Sequence, residues 1–422
     1  MKDPLEEAGD GVDRRGATFI LIAFVVGIVA LAVFRPGSRD ALMIIGGIIG
    51  MVMLHEAGHY IVAKRSGMKV TEFFLGFGPR LWSFKRGETE YGVKAIPAGG
   101  YVRIVGMSNM EPVPPEDEPR TFRKGSYKNR LKVVLAGVTI NAILAFALFY
   151  VVLVARGVDE PSTRVDTVVK YVTKPNGSFL HDSTGKRVES AAHRAGFHQG
   201  DRIVAVEGRR VTTWQELRDA IQARAGRTTA FTVVRRHERL SLDATLTRLH
   251  GQGFLGVEPA FETTNVGVLD AVPRSFETMG KITGDTATAI GKLFTPSGLN
   301  RYTQNFDSNA PKAGSTADQA RPRSLIGIID YGSRVIHGDI WALLWLLGGI
   351  SLILAFFNTL PLLPFDGGHA AVVVYEWVAS KVKGRRVVAD YRKLMPMTAV
   401  VLAVFLTLGL SAMFLDIKNL GQ

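Results

Sequence analysis

The chain of 422 residues contains no cysteine. This absence excludes disulfide bonds, zinc sites built from thiolates and cysteine nucleophiles, and it leaves the redox compartment undetermined. Negative charge is also scarce, since 38 Asp and Glu against 51 Lys and Arg give a net charge of +13. A basic balance occurs in nucleic-acid-binding proteins, but together with long apolar runs it is typical of cytoplasmic loops that fix a membrane topology. We therefore expect the lipid bilayer, and no nucleic acid, as a partner.

Apolar runs are what the sequence has in quantity, and 47% of its residues are hydrophobic. A helix needs roughly 20 mostly apolar residues to cross the hydrocarbon core. Five segments approach this length and predict five spans: Ala17–Phe34, Ala41–Ala63, Leu131–Ala155, Trp341–Leu363 and Met395–Phe414. The first also suits a secretory signal, because two arginines precede it, but its eighteen uncharged residues favour a retained helix.

Lys and Arg in the loops predict the orientation of these spans. Thirteen lie between Lys64 and Arg130 and six between Lys381 and Lys393, against two in residues 35–40. Because cytoplasmic loops carry the excess of positive charge, we expect both basic loops and the tail of residues 1–16 in the cytoplasm. The predicted location is the inner (cytoplasmic) membrane, with residues 156–340 forming a large extracytoplasmic region.

Two histidines and a glutamate interrupt the second apolar run, in the sequence Leu54-His55-Glu56-Ala57-Gly58-His59-Tyr60. Histidines four residues apart project from one face of a helix and can bind one metal ion, with Glu56 beside them as a base. The alternative is a pair of histidines satisfied by other hydrogen bonds. From Ala41 to His55 is about 21 Å of helix, so the cluster lies inside a core of roughly 30 Å, where ionisable groups are functional by default.

A tetrahedral zinc ion needs a further protein ligand beyond the two histidines. Asp366 follows about 36 Å of helix from Trp341, which would bring it to a comparable depth. The surrounding sequence, FNTLPLLPFDGGH, breaks regular helix, and irregular backbone is tolerated at membrane depth where protein or water satisfies it. We predict Asp366 as the third ligand. The alternatives are a helix-capping role for Asp366 and His369 as the ligand.

These motifs resemble the site-2 protease family of intramembrane zinc metalloproteases. The resemblance is carried by the His55–His59 motif and by a second pattern, Asn358-x-x-Pro361-x-x-x-Phe365-Asp366-Gly367. The segments GFGPRLW and GGYVRIVGM are similar to its bacterial branch, the regulator-of-sigma-E type proteases, which clip membrane-bound anti-sigma factors.

The resemblance implies zinc as cofactor, His55, His59 and Asp366 as its ligands, Glu56 as general base and Asn358 as a residue that holds the substrate backbone. Asn141 is a second substrate-binding candidate, with a hydrogen bond between helices as its alternative role. The chain departs from the family in two places. Gly137-Val138 stands where relatives often have Gly-Pro, and the span Ala17–Phe34 is an addition.

The expected fold is an α-helical polytopic membrane protein with a small cytoplasmic or re-entrant β-sheet and an extracytoplasmic PDZ-like α+β domain. Short β-prone runs broken by Gly and Pro predict the sheet in residues 70–105, with a turn at Arg86-Gly87-Glu88. The sheet either connects two helices or, as the family suggests, pairs with an extended substrate.

The predicted domains are the tail 1–16, the first helix and turn 17–40, the motif helix 41–63, the β region 64–130, the helix 131–155, the PDZ-like domain 164–249, an amphipathic helix 266–294, a linker 295–323, a helix 341–369 and a helix 395–414.

Within residues 164–249 we predict a strand over Arg202–Val206 and a helix around Trp214–Ile221. This domain either binds a peptide terminus or acts as a size filter above the active site. His193, His198 and His237 fall in this polar region, and we assign them no metal role.

The function we predict is a zinc metalloendopeptidase that cleaves a transmembrane helix of a membrane-anchored protein, such as an anti-sigma factor. The alternatives are a PDZ scaffold whose metal site is vestigial and a membrane zinc carrier or sensor that uses the same ligands without proteolysis. Glu56 discriminates the protease from the carrier, because a carrier needs no base beside its metal ligands.

Overall fold

The computed structural model describes residues 38–108, 110–173, 179–249, 251–306 and 322–419. The predicted span Ala17–Phe34 and the tail 1–16 lie outside these ranges. Contacts divide the chain into two compact units, Met1–Val152 with Val268–Gln422, and Leu153–Gly267. The α-helices of the described residues are α1 (Ser38–Arg65), α2 (Tyr127–Arg156), α3 (Ala191–Ala195), α4 (Trp214–Gln222), α5 (Val268–Leu293), α6 (Pro296–Thr303), α7 (Leu325–Ile336), α8 (Ile340–Thr359), α9 (Asp366–Lys383) and α10 (Tyr391–Lys418).

Four of these helices, α1, α2, α8 and α10, are long and apolar enough to cross a membrane. Each contains most of one predicted span. The predicted helix 341–369 is wrong as a single element, because α8 ends at Thr359 and α9 begins at Asp366. Pro361 and Pro364 lie between them and lack the backbone N–H that a continuing helix requires.

The first unit contains a two-stranded antiparallel sheet of β1 (Val70–Arg86) and β2 (Thr89–Ile104). Its turn is formed by Gly87 and Glu88, and Gly87 has a φ of +64°, which glycine adopts without strain. The predicted sheet and turn are confirmed. Segment 100–104 of β2 pairs with the first part of β1, from Val70 to Leu75.

One buried cluster in this unit joins α1, α2, α9 and the two strands. It contains residues from α1, both strands, the start of α2 and the middle of α9, and its members include Ala63, Val70, Ile104, Phe122, Val133 and Val373. Each buried aliphatic side chain contributes about 1.5–3 kcal/mol relative to exposure to water. The cluster therefore holds α1, α2 and α9 against each other near His55 and His59.

Helix α5 lies where the amphipathic helix 266–294 is expected. Its apolar face packs within the first unit. Phe276 contacts Phe146 of α2, with ring centroids 4.8 Å apart, and Met279 and Ile282 pack against the buried cluster around Phe149.

The predicted linker 295–323 is wrong over residues 296–306. Helix α6 begins there and continues into a 3-10 turn, Gln304–Phe306. Thr295 caps α6 by accepting a hydrogen bond from the Gly298 N–H at 3.1 Å, and the hydroxyls of buried Tyr302 and Ser411 are 2.7 Å apart. The helix cap and the buried tyrosine therefore stabilise a helix here despite the polar composition of the segment. Residues 307–321 lie outside the described ranges.

The strands of the second unit are β3 (Val158–Val168), β4 (Arg202–Val206), β5 (Arg209–Arg210), β6 (Thr228–Arg235), β7 (Glu238–Thr245), β8 (Thr247–Leu249), β9 (Gln252–Phe254) and β10 (Val257–Thr264). Its main antiparallel sheet has the strand order β10-β3-β4-β6-β7, in which β5 pairs with β4. The strand predicted at Arg202–Val206 is confirmed as β4, and the helix predicted around Trp214 is α4, whose Thr213 and Glu216 form a capping box.

Candidate metal centre

Helix α1 places His55 and His59 on one buried face. Both side chains belong to an uninterrupted helix, so the four-residue spacing brings their rings together, with centroids 4.8 Å apart. The two residues are 8% and 7% exposed. Glu56, one position along, is half-buried and faces the same cavity.

Asp366 completes a compact triangle with the two histidines. Its Oδ2 atom is 3.2 Å from the Nε2 atoms of both His55 and His59, and those two nitrogens are also 3.2 Å apart. Ligands bound to zinc at about 2.0 Å in a tetrahedron are separated by about 3.3 Å. The three atoms therefore have the spacing of three corners of a tetrahedral zinc site, and this is the only group of three such ligands found among the described residues.

The hydrogen bonds around this triangle suit metal binding. Nδ1 of His59 donates to the carbonyl oxygen of Val133 on α2 at 2.7 Å, which fixes the tautomer that leaves a lone pair on Nε2. Asp366 Oδ2 is buried without a hydrogen bond of good geometry from the described residues. Buried polar atoms are normally satisfied, so this oxygen has the environment of a ligand.

Gly137 of α2 lies directly against the two imidazoles. A Cβ atom at this position would be 2.3 Å from Nε2 of His59 and 2.6 Å from Nε2 of His55. Such distances are impossible without displacement of the rings. Glycine is therefore required here so that α2 can approach the histidines and leave their nitrogens free.

The sequence around Asp366 explains how it reaches the site. Asp366 lies in the first turn of α9. The next two residues, Gly367 and Gly368, pack so closely on the preceding loop that a Cβ on either would be 2.3–2.4 Å from backbone atoms of residues 359–363. The loop can therefore fold back onto the start of α9. Because α8 does not continue into α9, the Asp366 side chain can point at the two histidines.

A cavity of about 320 Å³ opens from the triangle. Its walls come from α1, β2, α2, α8 and the start of α9, and the lining residues include Glu56, Val102, Ile104, Met107, Val134, Asn141, Leu354 and Asn358. Asn141 is 1% exposed, and its Oδ1 accepts no hydrogen bond from the described residues. The structure thus brings both predicted asparagines to the cavity that contains Glu56.

His369 lies apart from the triangle. It follows Asp366 on α9, and its Nδ1 is 3.5 Å from the hydroxyl of Tyr391. It is not a member of the metal-ligand group. The structure therefore favours Asp366 over His369, the rival ligand considered from the sequence.

Sequence reasoning missed the parts that α2 contributes. Val133 acts through its backbone carbonyl, which no side-chain pattern reveals. Gly137 was noticed only as a departure from a Gly-Pro pair. One signal in the sequence did indicate a close helix contact here. Gly137 lies four residues before Asn141 in an apolar helix, and small residues mark close approaches between membrane helices.

Known proteins match nearly all of the chain. The family "Peptidase family M50" matches residues 43–406. Zinc metalloprotease Rip1 of Mycobacterium tuberculosis is 32% identical over 397 residues, covering 87% of this chain and 94% of the relative. The protein of the same name from Mycolicibacterium smegmatis is 31% identical, covering 88% and 95%. Metalloprotease MmpA of Caulobacter vibrioides is 28% identical, covering 78% and 85%.

Proposed function

Because the chain belongs to peptidase family M50 and is a zinc metalloprotease of the site-2 protease type, we propose that it cleaves a transmembrane helix of a membrane-anchored protein. The substrate class we propose is an anti-sigma factor or a similar protein in regulated intramembrane proteolysis. The observation that carries the site assignment is the triangle of His55, His59 and Asp366, with 3.2 Å between each pair of atoms. These three residues hold the zinc ion in our proposal.

Bound zinc supplies a Lewis acid that activates water and polarises the scissile carbonyl. Glu56 is next to a ligand and faces the cavity, so its carboxylate is placed to accept a proton from the attacking water. Water oxygen forms a bond to the carbonyl carbon, the bond from that carbon to nitrogen breaks, and Glu56 passes the proton to the leaving amine.

Val133 and Gly137 support this chemistry through the two histidines. The Val133 carbonyl holds the proton on Nδ1 of His59, which keeps the metal-facing nitrogen unprotonated. Gly137 leaves the space in front of the imidazoles open.

We propose that residues 100–104 of β2, here called the β2 edge, and the two asparagines position the substrate. Val102 and Ile104 of segment 100–104 line the cavity, and Gly100 of the same segment approaches Glu56 so closely that a Cβ would be 3.3 Å from its Cγ. A peptide added along this edge would be extended and would run past the general base. Extension is required, because the peptide bonds of a helix are sterically shielded. Asn141 and Asn358 offer amide groups to the backbone of such a peptide.

The second unit is, in our proposal, an extracytoplasmic PDZ-like domain that binds a peptide terminus. A groove of about 320 Å³ lies between the end of β3 and the residues around α3, and its walls include Thr167, Val168, His193, Phe197 and His198. Strand and helix edges of this kind accept an added peptide strand. We also propose that the N-terminus lies in the cytoplasm and the protein in the inner membrane, because Lys and Arg are concentrated in the loops expected on the cytoplasmic side. Protease protection of tags at the N-terminus and in this unit tests that orientation, and a tag at residue 1 that is cleaved only from outside would contradict it.

The experiment that tests the enzyme assignment replaces Glu56 with Gln. We expect the variant to bind zinc like the wild type and to leave a membrane-anchored reporter uncut, because only the proton carrier is removed. The matched control is Glu116→Gln, which removes an exposed carboxylate. Normal reporter cleavage by Glu56→Gln would rule out the mechanism.

A further inference from the structure

A buried ion pair joins α2 to α9 away from the metal-ligand triangle. Nη1 of Arg130 donates to Oε2 of Glu376 at 2.6 Å, and the two side chains are 4% and 2% exposed. The other carboxylate oxygen, Oε1, accepts the backbone N–H of Ala389 at 2.8 Å. The guanidinium also lies over the ring of Phe122, 4.9 Å from its centroid.

A pair in this setting is a poor way to stabilise a fold. Removing two charges from water costs several kcal/mol per ion, and well-packed apolar residues of similar volume often stabilise as well or better. Fixing one register of two packed elements is the best-attested use of such buried polar pairs. The question is therefore which register Arg130 and Glu376 fix.

Both partners belong to helices that carry the metal site. Arg130 precedes Val133, the carbonyl partner of His59, by three residues on α2, and Gly137 follows one turn later. Glu376 lies ten residues after Asp366 on α9, about 15 Å along a helix. Helix α2 therefore contacts His59 through Val133. Through the ion pair, it also contacts α9, the helix that begins at Asp366.

The start of α9, which carries Asp366, needs this contact with α2 because its connection to α8 is irregular. The loop from residue 360 to 365 contains two prolines, and α9 packs on the core through small aliphatic side chains such as Val372 and Val373. Apolar burial is non-directional and does not by itself select one register, and a slide of one residue along the helix would move Asp366 by about 1.5 Å. Metal-ligand distances must hold to about 0.2 Å. A second polar contact, 2.9 Å between the hydroxyls of Tyr127 and Ser380, lies one turn further along α9.

We infer that Arg130 and Glu376 are positioning residues that set the axial register of α9 and so bring Asp366 to the two histidines. This inference rests on the proposed role of Asp366 as a zinc ligand. The pair acts on the site through α9 and touches neither the metal-ligand atoms nor the cavity.

The test removes both charges with Arg130→Met and Glu376→Gln, so that no buried charge is left alone and a side-chain oxygen at residue 376 can still accept the Ala389 N–H. We expect the thermal unfolding temperature of the full chain in detergent to stay the same or rise. Zinc affinity, measured by competition with a chelator, should fall by about 10- to 100-fold, as for other residues that orient metal ligands. The control is the exposed ion pair of the second unit, Arg202→Met with Glu262→Leu, which should leave zinc affinity unchanged.

The register can also be measured without any metal. Because the chain has no cysteine, nitroxide labels attach only at introduced sites, and Lys128 on α2 and Val378 on α9 are both exposed. With the native ion pair, the distances between labels at these two positions should form one narrow distribution in zinc-free protein. In the double variant that lacks the ion pair, the distribution should broaden or shift.

Three results would overturn the inference. These are a folded double variant with wild-type zinc affinity, a folded double variant with an unchanged distance distribution, and a double variant that does not fold, since the pair would then serve stability. The variant Asp366→Ala distinguishes a failure of the positioning role from a failure of the proposed zinc site. Loss of zinc in Asp366→Ala but not in the double variant contradicts the positioning role alone, whereas zinc binding that survives Asp366→Ala contradicts the ligand assignment.

Discussion

The imidazole Nδ1–H of His59 donates a hydrogen bond to the carbonyl oxygen of Val133, 2.7 Å away on the neighbouring membrane helix. The bond spans 74 residues of sequence and makes α2 part of a site whose predicted ligands all lie on α1 and α9. A metal-bound histidine almost always has such a partner, which fixes its tautomer and the direction of its free nitrogen. The consequence is that changes in α2 should alter metal binding as strongly as changes beside the ligands.

Gly137→Ala tests this consequence. The added methyl group would lie 2.3 Å from His59 Nε2, so either the imidazoles or α2 must move. We expect zinc content after purification to fall to a small fraction of the wild-type value and reporter cleavage to fall with it. The control is Gly50→Ala in α1, where a Cβ meets no atom within 4 Å. Full zinc occupancy in Gly137→Ala would show that the close approach has no role in the site.

Gly100→Leu tests the role assigned to the β2 edge. A side chain at this position points toward Cγ of Glu56 and Sδ of Met53, 3.3 and 3.0 Å from its Cβ, and would obstruct an extended peptide beside the base. We expect kcat/KM for a membrane-anchored reporter to fall by at least about 10-fold, the loss of roughly one good contact, with zinc content unchanged. Lys85→Leu, on the exposed part of β1, serves as control. Equal cleavage by all three proteins would exclude substrate binding along this edge.

Replacing Asn141 or Asn358 with Ala tests the amide contacts. An unsatisfied or lost hydrogen bond to a substrate backbone costs about 1–3 kcal/mol, which corresponds to about 5- to 150-fold in kcat/KM. Zinc binding should be preserved, because neither residue belongs to the triangle. Thr359→Val is the matched control for Asn358, since the Thr359 hydroxyl donates to the carbonyl of Ala355 within α8. Unimpaired cleavage by both alanine variants would leave the asparagines a purely structural role.

The second unit should lose stability in acid through Asp201. Burial alone would raise the pKa of this carboxyl, but the guanidinium of Arg235, with nitrogens 2.7 and 2.8 Å from its two oxygens, lowers the pKa below the usual range. A group whose pKa is lower in the folded state stabilises fully above its unfolded pKa of about 3.9 and loses that contribution as the pH falls through the folded value.

Amide hydrogen exchange of strand β6, corrected for intrinsic rates, checks this expectation. Protection should fall between about pH 4 and pH 2 in the wild type. In Asp201→Asn, protection should be lower at neutral pH and nearly independent of pH in this range. Parallel curves for the two proteins would show that another group governs the acid response.

The sequence predicted those parts of the fold and site that depend on local pattern. The spacing of His55 and His59 defines one helix face wherever the helix lies, and Gly87 with Glu88 marks a turn between β-prone runs. Asp366 was found through its Pro- and Gly-rich surroundings, and although these residues were expected to break regular helix, the predicted helix was still extended to residue 369.

What the sequence could not supply is long-range geometry. A backbone carbonyl such as that of Val133 has no signature, because every residue carries one. Gly137 indicates a close approach but not the partner, and the partnership of Arg130 with Glu376 spans 246 residues. The helix at 296–303 was missed because Thr295 and Pro296 were counted as linker composition, although together they form a helix start.

The most direct test of the account is the zinc content of the purified full-length protein, measured by mass spectrometry, for the wild type, His55→Ala, Asp366→Ala and His369→Ala. His369 is the control, because it is a histidine on the same helix as Asp366 and lies outside the triangle. We expect one zinc ion per chain in the wild type and in His369→Ala, and little or none in the other two. Equal zinc in His55→Ala, Asp366→Ala and the wild type, with all proteins folded, would contradict the claim that these separate helices hold one metal ion together.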